Sequence, residues 1–219
     1  MKATVIANHQ QTHNVKSLRL KLEKPLDFEP GQFIMVSHKA IKDNNPVEIK
    51  RAYSITSSPL NKAYIELAFD IKEFGIVSPY LYNLKVNDYI EISDPNGFFT
   101  FEDSIKEDLI LIGAGTGIAP LIGIIRYITD KKLMNKITLI YSCKTENDII
   151  YHEEIQKIKA INNRLNYHIT LTQYQEWSGL KGRINSEMLI SIVKNFENKY
   201  FYICGPPRMV LNTSKMLQD

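Results

Sequence analysis

Hydrophobic and polar positions alternate at short range through the first half of the chain. Six runs rich in β-branched and aromatic residues are separated by turn-forming segments such as Pro30-Gly31, DNNP at 43–46 and SSPLN at 57–61. The runs are KATVIAN (2–8), VKSLRLKL (15–22), QFIMVSH (32–38), RAYSI (51–55), AYIELAFD (63–70) and DYIEIS (88–93). Alternation within several of them, as in residues 64–69, is typical of half-buried strands. The pattern predicts an antiparallel six-stranded β-barrel.

One short helix is predicted within this barrel, over PYLYNL (79–84). Ser78 is the expected N-cap residue and Pro79 the first-turn residue, because these types favour those positions.

The second half of the chain has longer apolar runs that alternate with amphipathic segments. DLILIG (108–113) is almost wholly apolar, as expected of a strand buried on both faces. Helix and strand predictions then alternate to the end of the chain: helix 118–131, strand 136–142, helix 149–161, strand 165–171, helix 185–196, strand 199–204 and helix 207–217. This order predicts a doubly wound α/β domain with a parallel sheet. FEDSIKE (101–107) breaks both patterns, so we expect two domains, 1–103 and 104–219.

Composition narrows the function classes. An apolar share of 44% and a charged share of 23% are those of an ordinary globular protein, and the net charge of +3 does not indicate nucleic-acid binding. The two cysteines cannot supply a four-cysteine iron–sulfur cluster, and no metal site is predicted. Without a disulfide framework, a signal peptide or an apolar run of about 20 residues, we expect a cytoplasmic protein with no membrane segment.

GAGTGIAP (113–120) is the strongest single motif, because it follows a buried strand and opens a helix. Glycines allow the backbone to approach a pyrophosphate, and the helix N-terminus favours its negative charge. The spacing departs from the usual G-x-G-x-x-G pattern, and tight strand–helix packing alone would explain a glycine turn equally well.

Three further motifs each have a functional and a structural interpretation. In RAYSITSSP (51–59), Arg51 can bind phosphate and Tyr53, on the same strand face, can stack on a flat ring. GIVSPYL (75–81) offers a second helix N-terminus for phosphate. CGPPRM (204–209) ends the last strand, where ligands of such sheets bind. Taken singly, they would also fit an exposed strand, a connecting helix and a small buried cysteine.

Together the four motifs, in this order and spacing, resemble the ferredoxin–NADP reductase superfamily. PGQF (30–33) and PNGFF (95–99) add to the resemblance, which runs from about Lys2 to the C-terminus. It implies a flavin-binding barrel followed by an NAD(P)-binding domain. FAD is the implied flavin, and FMN is an alternative because Arg51 would bind a phosphate of either.

The resemblance also implies roles for individual residues. Ser54 and Cys204 would be the catalytic residues, beside the flavin and the nicotinamide. The implied flavin-binding residues are Arg51, Ala52, Tyr53, Ser54, Ala68, Asp70, Gly75, Ile76, Val77 and Ser78. The implied NAD(P)-binding residues are Gly115, Thr116, Gly117, Ser142, Lys144, Cys204, Gly205, Pro206 and Met209.

Some positions depart from the family pattern. Asp70 stands where many members have a basic residue, so one contact to the flavin phosphate is expected to be missing. The chain ends at Asp219, where many members continue through a segment that covers the flavin, so we expect a more exposed flavin or a partner that covers it. Lys144 favours NADPH through the 2′-phosphate, whereas Glu146 would favour NADH.

Three functions follow as hypotheses. The first is a flavoprotein that takes a hydride from NAD(P)H onto bound FAD and passes electrons to an iron–sulfur, haem or oxygenase protein. The second is an NAD(P)H:flavin reductase that uses diffusible flavin as its substrate. The third, from another class, is a non-catalytic electron-relay or regulatory subunit of a larger complex.

Overall fold

The first half of the chain folds into six strands in the computed structural model, which describes residues 1–42, 45–71, 75–173 and 176–218. They are β1 (Lys2–Gln10), β2 (Val15–Leu22), β3 (Phe33–Lys42), β4 (Asn45–Ser54), β5 (Ile65–Asp70) and β6 (Tyr89–Ile92). The strands pair antiparallel in the order β4-β3-β6-β1-β2-β5. A bridge between Ile55 and Leu67 joins the two ends of this sheet, so the predicted six-stranded barrel is confirmed.

β3 and β4 form a longer hairpin than the sequence predicts. Their pairing runs from Phe33–Ser54 out to Lys42–Asn45. Asn45 and Pro46, which we expected in a DNNP turn, therefore belong to β4. The other two residues of that predicted turn, Asp43 and Asn44, lie outside the described residues.

The predicted helix of the barrel is α1 (Val77–Asn83), which packs against β3 and β4. The prediction of Ser78 as its N-cap is wrong. Ile76 occupies the N-cap position with helical backbone angles and no side-chain cap hydrogen bond, and Ser78 is a buried residue of the first turn. Pro79 still lies in that first turn, where its missing N–H costs no helical hydrogen bond.

The second half forms a parallel sheet with helices on both faces, as predicted. Its strands are β7 (Asp108–Ala114), β8 (Ile137–Cys143), β9 (Leu165–Leu171), β10 (Leu180–Lys181) and β11 (Lys199–Cys204), in the order β10-β9-β8-β7-β11. Its helices are α2 (Ile118–Asp130), α3 (His152–Ile161), α4 (Ser186–Val193) and α5 (Pro207–Met216). The two-residue strand β10 was not predicted. None of the described helices combines the length and the apolar character needed to cross a membrane.

The side chains of β7 divide the core of this domain between the two sheet faces. Leu109 and Leu111 pack in one cluster with α2 and α3, whereas Ile110 and Ile112 pack in another with α4. Because both faces are covered, the strand needs the continuous apolar run that its sequence shows.

The alternating pattern of β5 predicts one polar, solvent-facing side, and this prediction is wrong. Every residue from Ile65 to Phe69 is buried, including Glu66 at 2% exposure. Glu66 is covered because Arg126 of α2 and Tyr151, just before α3, pack on it from the second domain.

Candidate functional site

A cleft of about 1580 Å³ runs along the carboxyl ends of the parallel strands and is closed on its other side by the barrel. Ligands of doubly wound sheets bind at this edge. Predicted site residues from both domains line the cleft: Ser54, Asp70, Gly115, Thr116, Gly117, Ser142, Lys144, Cys204, Gly205, Pro206 and Met209. One cavity therefore unites residues as far apart in the sequence as Ser54 and Met209.

The turn between β7 and α2 presents its backbone to this cleft. Gly115 has a φ of +53°, and a Cβ added there would meet no heavy atom within 4 Å. The Tyr141 hydroxyl donates to the Gly115 carbonyl oxygen at 2.9 Å and fixes the turn. Gly117 directly precedes α2, whose first N–H groups have no partner within the helix. An open backbone at a helix N-terminus fits a pyrophosphate.

The end of β11 forms the opposite wall. Burial raises the pKa of the Cys204 thiol above its ordinary value, so the sulfur stays protonated at neutral pH. A Cβ on Gly205 would lie 2.5 Å from the Met209 methyl group, so Met209 packs directly against this glycine. Pro206 then leads into α5. This wall of the cleft therefore consists of a neutral, partly buried thiol and a closely packed backbone.

Arg51, Ala52 and Tyr53 lie along β4 beside the cleft and do not line it. The exposed Arg51 guanidinium donates to the Lys50 carbonyl oxygen at 2.8 Å, and no ion pair joins it to a described carboxylate. Burial raises the pKa of Tyr53 to about 12, with Arg51 opposing the shift and Asp70 adding to it. The strand therefore offers a cationic side chain and a neutral ring on one face.

The remaining predicted flavin residues also lie outside the cleft walls. Gly75, Ile76, Val77 and Ser78 lie at the start of α1, and this helix packs against the strand that carries Arg51. Tyr80 of α1 stacks on His38 of β3 with ring centroids 3.9 Å apart. Ala68 is buried in β5 opposite Ser17 and belongs to the apolar cluster that includes α2. Of the residues at the start of α1, Ile76 is exposed, whereas Val77 and Ser78 are buried.

Sequence reasoning missed two arginines of the cleft. Arg183 follows the short strand β10 and Gly182, whose φ is +90°. Arg208 is the second residue of α5 and lies within CGPPRM (204–209), but no role was predicted for it. Together with Lys144 they give the cleft three cationic side chains. Glu146, the acidic candidate, is not among the residues that line it.

The turn between β1 and β2 is a second element that the sequence did not indicate. Thr12, His13 and Asn14 line the cleft from the barrel side. His13 Nδ1 lies 3.7 Å from a carboxylate oxygen of Asp148 in the second domain, so the turn reaches across the cleft. A polar turn of this kind carries no local signal for such a contact.

Family comparisons agree with this two-part construction. Residues 2–101 match the family model described as the oxidoreductase FAD-binding domain, and residues 111–215 match the oxidoreductase NAD-binding domain. The barrel is thus an FAD-binding domain and the α/β unit an NAD-binding domain.

Similar proteins include two curated relatives. The chain is 29% identical over 213 residues to the ferredoxin–NAD(P)(+) reductase component of the naphthalene 1,2-dioxygenase/salicylate 5-hydroxylase systems of Ralstonia sp, covering 96% of this chain and 62% of the relative. It is 32% identical over 216 residues to NADH-cytochrome b5 reductase 1 of Lodderomyces elongisporus, covering 95% of this chain and 71% of the relative. This chain therefore spans about three fifths to seven tenths of their lengths.

A solved structure has the same fold. The FAD/NAD-binding domain of nitric oxide dioxygenase from Vibrio cholerae superposes with a TM-score of 0.89 over 99% of this chain and 92% of that chain, at 22% identity. At this identity the likeness concerns the architecture alone.

Proposed function

The chain belongs to the ferredoxin–NADP reductase superfamily, and on that premise we propose that it is an FAD-dependent NAD(P)H oxidoreductase that passes electrons to a separate acceptor protein. One observation carries the proposal: Ser54 at the end of β4 faces the same cleft as the Gly115–Gly117 turn and Cys204. A flavin beside Ser54 and a nicotinamide beside Cys204 would meet there. Bound flavin supplies the redox chemistry, accepting a hydride and releasing electrons, and the protein supplies binding and orientation.

The flavin would lie along β4 and extend toward α1. Arg51 would bind its phosphate, Tyr53 would stack on its ring and Ser54 would hydrogen-bond near the hydride-accepting nitrogen. The position of β4 at the edge of the sheet order and the exposed Arg51 support this placement. Ala52, Ala68, Asp70, Gly75, Ile76, Val77 and Ser78 would complete the flavin-binding set.

The nicotinamide nucleotide would lie along the carboxyl ends of the parallel strands. Gly115, Thr116 and Gly117 would bind its pyrophosphate, because they line the cleft at a helix N-terminus and Gly115 has open space beside its Cα. Cys204, Gly205 and Pro206 would border the nicotinamide, with Met209 packed behind them. Ser142 and Lys144 would lie near the adenosine ribose.

We further propose NADPH as the preferred nucleotide. Lys144, Arg183 and Arg208 line the cleft, whereas Glu146 does not. Cationic side chains favour a 2′-phosphate, and an acidic side chain on the ribose would have favoured NADH. The proposal therefore rests on the charge of the cleft walls.

A separate acceptor protein is proposed from the relatives. The Ralstonia protein is the reductase component of oxygenase systems, by its name. The described residues include no group of three or more His, Cys, Asp or Glu side chains that could hold a metal ion. By this proposal the acceptor is an iron–sulfur, haem or oxygenase protein, as the name of the Ralstonia relative suggests. The division into residues 1–103 and 104–219 and a cytoplasmic location also stay predictions.

The test is an absorbance spectrum of the purified protein, followed by anaerobic addition of NADPH or NADH. We expect a flavin spectrum that survives gel filtration and bleaches with either nucleotide, faster with NADPH. Arg51→Ala should lose flavin on the column, whereas the matched control Lys50→Ala, an exposed neighbour, should keep it. A colourless protein that oxidises NADPH only with added flavin would support diffusible flavin as substrate. No flavin binding and no nucleotide oxidation would contradict both activities and leave the relay-subunit hypothesis.

A further inference from the structure

The two domains meet at a buried ion cluster outside the residues assigned to either ligand. Its centre is Glu66 of β5, which is 2% exposed. One carboxylate oxygen accepts from Arg126 Nη1 at 2.9 Å and from the Tyr151 hydroxyl at 3.0 Å, and the other accepts from Arg19 Nε at 2.9 Å. Arg19 belongs to the barrel, whereas Arg126 and Tyr151 belong to the NAD-binding domain. The carboxylate is therefore shared by both domains.

Arg126 also donates a hydrogen bond to the backbone two residues after Ser54. Its Nη1 donates to the carbonyl oxygen of the buried residue Thr56 at 2.7 Å. On the same helix, Gly123 lies so close to the barrel that a Cβ there would stand 2.8 Å from the Ile55 carbonyl oxygen. Helix α2 therefore contacts two successive carbonyl groups at the end of the strand that carries Ser54.

The guanidinium of Arg126 is oriented by its own domain. Glu154 of α3 accepts from Nε at 2.6 Å and from Nη2 at 2.7 Å, and the Tyr151 ring lies 4.8 Å from the guanidinium carbon. A planar guanidinium can make all of these contacts at once, whereas the single ammonium of a lysine cannot. The residue thus joins a fixed point in the NAD-binding domain to a fixed point in the barrel.

Helix α2 connects this junction to the nucleotide-binding turn. It begins at Ile118, directly after Gly117, and Arg126 follows eight residues later. At 1.5 Å per residue, about 12 Å of straight helix separates the two points. The turn for the pyrophosphate and the end of the flavin-binding strand are therefore held by the same rigid element.

We propose that Arg126 is a positioning residue for hydride transfer: it sets the distance and angle at which the nicotinamide faces the flavin. This inference rests on the proposed function. Arg126 does not line the cleft, so its contribution would act through Thr56 and Ser54 and not through contact with either ligand. Because a misplacement of about 1 Å can cost on the order of a hundredfold in rate, loss of this contact should slow the chemical step selectively.

The test compares Arg126→Lys and Tyr151→Phe with the wild-type holoprotein. Glu153→Gln is the matched control, because Glu153 precedes Glu154 on α3 but is exposed and pairs with Lys157. We expect Arg126→Lys to reduce flavin roughly tenfold or more slowly at saturating NADPH, with KM changed by less than about threefold. The deuterium isotope effect with 4-deuterated nucleotide should increase, and the charge-transfer absorbance of the complex with NADP⁺ should weaken. Tyr151→Phe should change the same quantities in the same direction by a smaller factor, and Glu153→Gln should leave them near wild type.

Hydrogen–deuterium exchange provides a readout that does not depend on turnover. In Arg126→Lys, a peptide spanning residues 54–58 should exchange faster, while a peptide from β7 (Asp108–Ala114) should be unchanged. Faster exchange in both peptides would mean general destabilisation and would overturn the proposal, as would a wild-type rate of flavin reduction in Arg126→Lys. If that variant does not fold, an unchanged rate in Tyr151→Phe would overturn it. Failure of the wild-type flavin to bleach would instead contradict the proposed function itself.

Discussion

The backbone of Gly117 packs against the carbonyl group of Cys204, so closely that a Cβ on Gly117 would lie 2.1 Å from the Cys204 oxygen. The contact joins the glycine turn before α2 to the end of β11, two motifs that are far apart in the sequence. Both line the cleft. Position 117 therefore requires a glycine, because the Cys204 backbone occupies the space that a Cβ would need.

Gly117→Ala should therefore displace one of these two segments. We expect the KM for NADPH to rise by at least about tenfold, because a change of roughly 1.4 kcal/mol in nucleotide binding has that effect. Flavin absorbance should be retained, since β4 is not touched. Steady-state kinetics on the flavin-loaded variant measure this.

Gly182→Ala is the matched control for that substitution, because Gly182 is not among the residues that line the cleft. A Cβ at Gly182 meets no heavy atom within 4 Å, but the backbone has a φ of +90°. The expected cost is ~1 kcal/mol of backbone strain, or about 2–4 °C in the melting temperature of a protein of this size. Equal effects of the two alanines on KM would contradict a specific role for the Gly117–Cys204 contact.

Removing the charge of Lys144 should change the nucleotide preference. In Lys144→Ala we expect the KM for NADPH to rise several-fold while the KM for NADH is unchanged, because only NADPH carries the 2′-phosphate. Arg183→Ala tests the second cation in the same way. The ratio of kcat/KM values for the two nucleotides measures the effect. Equal losses with both nucleotides would contradict the proposed preference for NADPH.

The sequence pattern predicted strands of the second domain well, because a strand buried on both faces has a long apolar run. β9 (Leu165–Leu171) and β11 (Lys199–Cys204) have the predicted bounds. The two-residue strand β10 is too short to show an alternating pattern, so it was not predicted. Arg183, which follows it, was therefore not recognised as a residue of the cleft.

The errors in the barrel have a different physical origin. Glu66 gives β5 an alternating pattern, yet partners more than 50 residues away in the sequence bury it. Ser78 has the residue type of an N-cap, but the helix begins one residue before it, at Val77. Local pattern indicates which segments form strands and helices, whereas contacts between domains decide which polar residues are buried.

The two cysteines should differ in reactivity. Burial raises the pKa of Cys143 to about 12 and also raises that of Cys204 above its ordinary value, so both are thiols at neutral pH. Both cysteines line the cleft, but Cys204 is less buried, so we expect N-ethylmaleimide to modify it first, with a rate that still increases above pH 9. Bound NADP⁺ should slow this modification. Mass spectrometry of the labelled peptides measures both sites, and modification of Cys143 first would contradict the assigned burial.

Glu66 should make the stability of the protein sensitive to acid. Burial alone would raise its pKa, but Arg126 and the hydrogen bonds from Arg19, Arg126 and Tyr151 outweigh burial and lower the pKa below its usual value of 4.5. The unfolded chain then binds more protons than the folded chain, so the contribution of Glu66 is complete above pH 4.5 and is lost as the pH falls through the lowered pKa.

Glu66→Gln should cost ~3 kcal/mol in the free energy of unfolding at pH 7, because it leaves buried arginine charge uncompensated. The difference from wild type should shrink as the pH falls below 4.5 through the lowered pKa, because the wild-type carboxylate then becomes protonated as well. Urea unfolding at pH 7 and at a series of lower pH values measures this, with the exposed Glu153→Gln as a control that should change little throughout. A constant difference between Glu66→Gln and wild type across the pH range would mean that the charge of Glu66 does not stabilise the junction.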